Sequence, residues 1–101
     1  MLIVKEPVVK EVTVSSGSWS GNTQKVMGIL LHVLVSANTE TTTFDFSITD
    51  DDGITIKSWT ANTDELNEQV YIPLAGVYTL SISNSSKTDE SYIVYLGIDE
   101  T

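Results

Sequence analysis

Few residues of this chain have the type and spacing that chemistry requires. Three consecutive aspartates, Asp50 to Asp52, precede Gly53 and could offer clustered oxygen ligands to Ca²⁺. The twelve-residue calcium loop that ends in a Glu is absent, however, and Asp-Gly is a common hairpin turn. We therefore interpret this stretch as a turn between two strands, and we predict neither a metal site nor a bound cofactor.

The one histidine of the chain, His32, lies in the apolar run from Lys25 to Ser36. A zinc site needs further His or Cys ligands, and the chain has no Cys. No Gly-x-Ser-x-Gly elbow and no glycine-rich phosphate loop occur in the sequence. A small sandwich also leaves little wall for a substrate cleft. We predict no catalytic residues, and thus a protein that is not an enzyme.

The charge of the chain excludes a further class of function. Its 101 residues include five lysines, no arginine and 14 carboxylates, which gives a formal net charge of −9. A nucleic-acid-binding surface needs clustered basic residues, so we expect no nucleic acid as a partner. No apolar run reaches the ~20 residues that cross a bilayer, and the start of the chain lacks the features of a signal peptide. We therefore expect neither a membrane partner nor secretion.

The segment that would position any site is Lys25 to Ser36, KVMGILLHVLVS. Its β-branched residues, and the strand signals elsewhere in the chain, favour a central strand over a buried helix. Side chains alternate between the two faces of a strand, and both faces of this one are apolar. Such a strand needs cover on both sides. One cover is the core, and the other is a loop, the N-terminal segment or a second copy of the protein.

The rest of the chain alternates apolar and polar residues in short runs. Besides the central strand, the predicted strands are 2–5, 8–14, 43–49, 54–57, 66–72, 76–83 and 91–98, whereas 15–23 is predicted to be a loop. About eight short strands without a helix predict an all-β fold. We expect an antiparallel β-sandwich with a jelly-roll-like strand order, and an Ig-like Greek key is the alternative.

One domain is expected over residues 1–101, as the complete product of a small gene. Within it, we expect N-terminal strands or an arm at 1–14 and the main sandwich at 24–101.

Apolar residues on the second face of two strands indicate a contact surface. We predict that this surface contains Leu30, His32, Leu34, Ile93 and Tyr95, with Trp19 as a further candidate. Trp19 lies in a loop rich in Gly and Ser and has two interpretations. It either plugs one end of the sandwich or contacts a partner or a sugar, since Trp is common at interfaces.

Three segments of the chain carry a resemblance to known proteins: FDFSITDDDGITIKS, VYIPLAGVYTLSISNSS and YIVYLGIDE. With them, residues 31–100 resemble the small β-sandwich proteins of tailed-bacteriophage virions, such as capsid decoration (cement) and accessory proteins. The order and pattern of these segments are also similar to those of bacterial pre-peptidase C-terminal domains, which are jelly-roll-like accessory modules. The acidic calcium positions and the secretion signal of those modules are missing here.

The resemblance to virion proteins implies a non-enzymatic structural protein, located in the virion and assembled in the host cytoplasm. Such a protein is expected to form a homo-oligomer, for example a trimer, and to dock on a capsid protein or another virion protein. One alternative is a carbohydrate-binding module that stacks sugars on Trp19, Trp59, Tyr71 or Tyr95. Another is an accessory β-sandwich domain of a secreted protein.

Overall fold

Residues 8–100 are described by a computed structural model, in which they form eight β-strands and no helix. The strands are β1 (Val8–Thr13), β2 (Trp19–Asn22), β3 (Val26–Ala37), β4 (Thr43–Asp50), β5 (Thr55–Thr63), β6 (Glu65–Gly76), β7 (Tyr78–Ser83) and β8 (Ser91–Glu100). The strand predicted at 2–5 lies outside the described residues. Within 8–100, no helix is long and apolar enough to cross a membrane.

Two four-stranded antiparallel sheets form a sandwich. The first sheet has the order β1-β8-β3-β6, and the second sheet has the order β2-β7-β4-β5. The pairs β1–β8, β2–β7, β3–β6 and β4–β5 form one long antiparallel ribbon that folds over on itself. This is the strand order of a jelly roll. The prediction of an all-β, jelly-roll-like sandwich is confirmed, and the Ig-like order is not observed.

Alternating apolar side chains of both sheets form the core. In β4 the predicted alternation holds, and Phe44, Phe46 and Ile48 are buried. Phe44 meets Tyr92 of the first sheet edge to face, with ring centroids 5.0 Å apart. Phe46 stacks on Trp59 of the neighbouring strand at 6.0 Å. Aromatic pairs therefore fix both the distance between the sheets and the pairing of β4 with β5.

The central strand β3 changes faces halfway along its length. Its register shifts between Leu30 and His32 against both neighbours, β6 and β8. Leu30 is buried before the shift, and Val33 and Val35 are buried after it. An inserted residue moves all following side chains to the opposite face of a strand. Leu30 and Val33, which strict alternation places on opposite faces, therefore both face the core. Part of the predicted second apolar face thus belongs to the core.

At the register shifts, the three paired strands of the first sheet contain unequal numbers of residues, and this number increases from β8 to β3 to β6. Between the rung that holds Leu30 and the rung that holds Val33, β8 has one residue, β3 has two and β6 has three. Unequal strand lengths between two rungs bend a sheet and increase its twist. We therefore expect the outer face of the first sheet to be curved at this point.

β2 lies where the sequence predicts a loop. Ser and Gly have low strand propensity, but pairing with β7 places Trp19 opposite Ile82 and Gly21 opposite Leu80. β1 comes from the predicted N-terminal region and is a full strand of the first sheet. The Lys10 ammonium of β1 donates to the Asn22 carbonyl of β2 at 2.6 Å, which links the two sheets at this edge.

The carboxylate of Glu90 ties together two loops at one end of the sandwich. It accepts hydrogen bonds from the Thr39 amide (3.1 Å), the Thr42 hydroxyl (2.8 Å) and the Ser91 amide (2.9 Å). Burial opposes ionisation of this carboxyl, but the hydrogen bonds outweigh burial and hold the pKa of Glu90 below its ordinary value. Glu90 is therefore an ionised, buried anchor for the loop between β3 and β4.

We expect Glu90→Gln to lower the free energy of unfolding by about 1–3 kcal/mol at neutral pH, because an amide cannot replace a carboxylate as the acceptor of these bonds. The folded-state pKa of Glu90 is lowered, so its contribution is present above the unfolded-state pKa and lost as pH falls through the folded-state pKa. Urea unfolding at a series of pH values checks this, with the exposed neighbour Asp89→Asn as the control. A stability difference that persists in strong acid would contradict the assignment.

Candidate contact surface

The outer face of the first sheet carries a group of apolar side chains, which we call the outer stripe. It consists of Met27, Ile29, His32 and Leu34 on β3, Ile93 and Tyr95 on β8, and Tyr71 on β6. The most exposed members are Tyr71 at 67%, Met27 at 54% and Ile93 at 50%. The remaining members are half-buried by their neighbours in the sheet. The stripe therefore follows the two central strands and is accessible to a partner.

Cross-strand contacts hold the centre of the outer stripe in place. Leu34 lies directly opposite Tyr95, and His32 lies opposite Gly97. The His32 ring meets the Tyr95 ring edge to face, with centroids 5.9 Å apart. A Cβ added to Gly97 would lie 3.3 Å from Cε1 of Tyr95 and 3.4 Å from Cβ of His32. The missing side chain of Gly97 therefore makes room for this aromatic pair.

The His32 ring is also oriented by a row of hydrogen bonds. Its Nε2 lies 2.6 Å from Oδ1 of Asn67, and Nδ2 of Asn67 donates to Oε1 of Glu65 at 3.2 Å. Because the amide nitrogen of Asn67 donates to Glu65, its amide oxygen is the atom that faces His32, and an amide oxygen can only accept. Nε2 of His32 must then carry the proton and donate it to Asn67. His32 is thus a packed and hydrogen-bonded side chain of the outer stripe.

The structure brings together four of the six predicted contact residues: His32, Leu34, Ile93 and Tyr95. Leu30 is a correction, because it is fully buried in the core and cannot face a partner. Strict alternation groups Leu30 with His32, whereas the register shift between them separates the two.

Sequence reasoning missed Met27 and Ile29 as members of the outer stripe. Strict alternation assigns them to the same face as Val33, which is buried. The signal that could have indicated a shift is the run of three consecutive apolar residues, Ile29 to Leu31, before a polar ring.

Trp19 lies away from the outer stripe, at the edge of the second sheet. Its side chain packs against the core and lies over Gly21, where an added Cβ would be 2.6 Å from Cζ2 of Trp19. This position agrees with the interpretation of Trp19 as a plug. Trp59 is buried against Phe46, so its ring is not available as a platform for a sugar.

The three aspartates between β4 and β5 form the turn that the sequence predicts. Oδ1 of Asp50 accepts hydrogen bonds from the amides of Asp52 (3.0 Å) and Ile54 (2.9 Å). Gly53 has a φ of +86°, a value that suits Gly at the end of a turn. The carboxylates of Asp50, Asp51 and Asp52 come within 4.8 Å of one another, and aspartates are common in turns of this kind.

The outer face of the second sheet differs in chemistry from that of the first. It presents short polar side chains: Ser20, Ser47, Thr49, Thr79, Ser81 and Ser83. At the Ile93 end of the outer stripe, a shallow pocket of about 200 Å³ is lined by Glu11, Ser36 and Asn38 among others. This pocket is small and mostly polar. Besides the polar side chains of β2, β4 and β7, the second sheet has two exposed isoleucines near the start of β5, Ile54 at 62% and Ile56 at 37%.

No protein-family model and no curated protein sequence matches the chain. Among solved structures, the chain is similar to "Carbohydrate-Binding Module CBM36 in complex with calcium and xylotriose", with 11% identity and a TM-score of 0.42 over 94% of this chain and 91% of that one. It is also similar to "infectious bursal disease virus VP2 subviral particle", with 13% identity and a TM-score of 0.46 over 95% of this chain. The chain spans 34% of that viral chain.

We expect Gly21→Ala to displace the Trp19 ring, because the new Cβ has no room beneath it. The free energy of unfolding should fall by about 1–3 kcal/mol, the usual cost of overpacking. In a Trp59→Phe background, Trp19 is the sole tryptophan, and its fluorescence emission should shift to longer wavelength as the ring leaves its apolar contacts. Ser20→Ala in the same background is the control. Unchanged emission and stability would contradict the interpretation of Trp19 as a plug and would favour its interpretation as a contact residue.

Proposed function

We propose that this chain is a non-enzymatic structural protein of a virion, which attaches to a capsid or tail lattice by burying the outer stripe. The observation that supports the proposal most is the contrast between the outer stripe of the first sheet and the short polar side chains that β2, β4 and β7 present on the second. Exposed apolar patches with polar borders are typical of interaction sites. The virion context rests on the resemblance of residues 31–100 to small phage β-sandwich proteins.

The size of the sheet suits a docking surface. The two larger dimensions of the molecule are 37 and 29 Å, and a face of these dimensions exceeds the about 800 Å² that each partner buries in a stable complex. Burying apolar surface contributes about 25 cal/mol per Å² before the costs of association. Because Met27, Tyr71 and Ile93 are half or more exposed, they have the most apolar surface left to bury.

The absence of an enzymatic role is part of the proposal. His32 donates to Asn67 and packs on Tyr95, an arrangement that orients the ring and does not pair it with a nucleophile. The role as a carbohydrate-binding module is less well supported, because Trp59 is buried and Trp19 packs against the core. Of the four candidate platforms, Tyr71 is exposed, and Tyr95 and Trp19 are half-buried.

The proposal is tested by tagging the chain in its own genome and sedimenting particles from the producing cells. We expect the wild-type chain to sediment with particles of virion size. Leu34→Asp should move the chain to the free fraction, because it places a charge in the centre of the outer stripe. Ser81→Asp adds the same charge at the centre of the polar face and should leave the chain bound.

Circular dichroism of the purified variants establishes that both are folded before the fractions are compared. A wild-type chain that stays in the free fraction would refute the proposal. So would a folded Leu34→Asp variant that sediments with the particles as the wild type does.

A further inference from the structure

Three carboxylates border the outer stripe on different sides. Glu11 of β1 lies opposite Ile93, and Asp99 of β8 lies opposite Ile29. Glu65 of β6 lies opposite Ser36, on the other side of β3. Directly opposed residues of antiparallel strands point to the same face. The acidic groups on β1, β6 and β8 therefore face the same side as the stripe, and we call them the acidic border.

The lysines of residues 8–100 are mostly placed away from this face. Lys10 and Lys87 donate to the carbonyl oxygens of Asn22 and Glu40, respectively. Lys57 belongs to β5 of the second sheet. Lys25 directly precedes β3 and lies near the end of the outer stripe that holds Met27. Within the part of the chain that the structure describes, the acidic border is thus not neutralised by lysines along the length of the stripe.

We infer that the outer stripe binds a different protein, one that carries Lys or Arg on both sides of an apolar strip, and not a second copy of this chain. This inference rests on the proposed function and specifies the chemistry of the partner. A second copy would place one acidic border against another and would add a second net charge of −9. Like charges brought together across an interface oppose binding, whereas complementary charges select the partner and accelerate the encounter.

The inference can be tested with a probe derived from this chain. In the charge-reversed chain Glu11→Lys/Glu65→Lys/Asp99→Lys, the outer stripe is retained and its border becomes basic. This probe therefore has the chemistry that we assign to the partner. A second probe, Glu11→Lys/Asp99→Lys, leaves the hydrogen bond between Glu65 and Asn67 intact and serves if the triple variant does not fold.

We expect the wild-type chain alone to be a monomer by light scattering at low salt, over a series of concentrations. Mixed with the charge-reversed chain, it should form a one-to-one complex. Raising the salt from about 0.05 M to about 0.5 M should weaken this complex tenfold or more, because the screening length falls from more than 10 Å to less than 5 Å. Leu34→Asp in the wild-type partner should abolish the complex.

The matched control is Glu40→Lys/Asp51→Lys/Asp52→Lys, which changes the net charge equally at exposed positions outside the acidic border. This control should not bind the wild-type chain. Equal binding by the control, or no complex with either probe, would overturn the inference. Self-association of the wild-type chain that Leu34→Asp removes would also overturn it, and would identify a second copy as the partner. These outcomes leave the sedimentation result unchanged, so they distinguish a wrong partner from a wrong function.

Discussion

The structure depends on the position of β3 between two neighbours in one sheet and above the core. Its backbone pairs with β6 along one edge and with β8 along the other, so its main-chain groups are satisfied on both sides. Its inward side chains, Leu30 and Val33 among them, are fully buried. The side chains that alternate with them, such as Ile29, His32 and Leu34, point to the outer face. The outer stripe is a direct consequence of how β3 is held.

Local patterns in the sequence predict the parts of the fold that obey regular alternation. β4, β7 and β8 alternate as expected, and the order of the two sheets is that of the predicted jelly roll. β2 was missed because its Ser and Gly residues form a strand only through pairing with β7, which is distant in sequence. The position of Leu30 was wrong for a similar reason, since a register shift depends on neighbouring strands and leaves little trace in one sequence.

The hydrogen-bonded polar groups named above stabilise loops and orient side chains. Glu90 is ionised and buried to hold a loop, and Asp50 closes a hairpin. Asn67 connects Glu65 to His32 and fixes the ring beside Tyr95. These hydrogen bonds therefore hold two loops and one ring of the outer stripe in place.

The folded-over ribbon also couples the completion of folding to the formation of the outer stripe. β1 and β8 are adjacent in the first sheet, although Thr13 and Ser91 are 78 residues apart in sequence. Contacts of such long range are costly in loop entropy and form slowly. A nascent or truncated chain that lacks β8 has neither Tyr95 nor Ile93 and cannot present the stripe. The outer stripe is therefore complete only in a chain in which β8 has paired with β3.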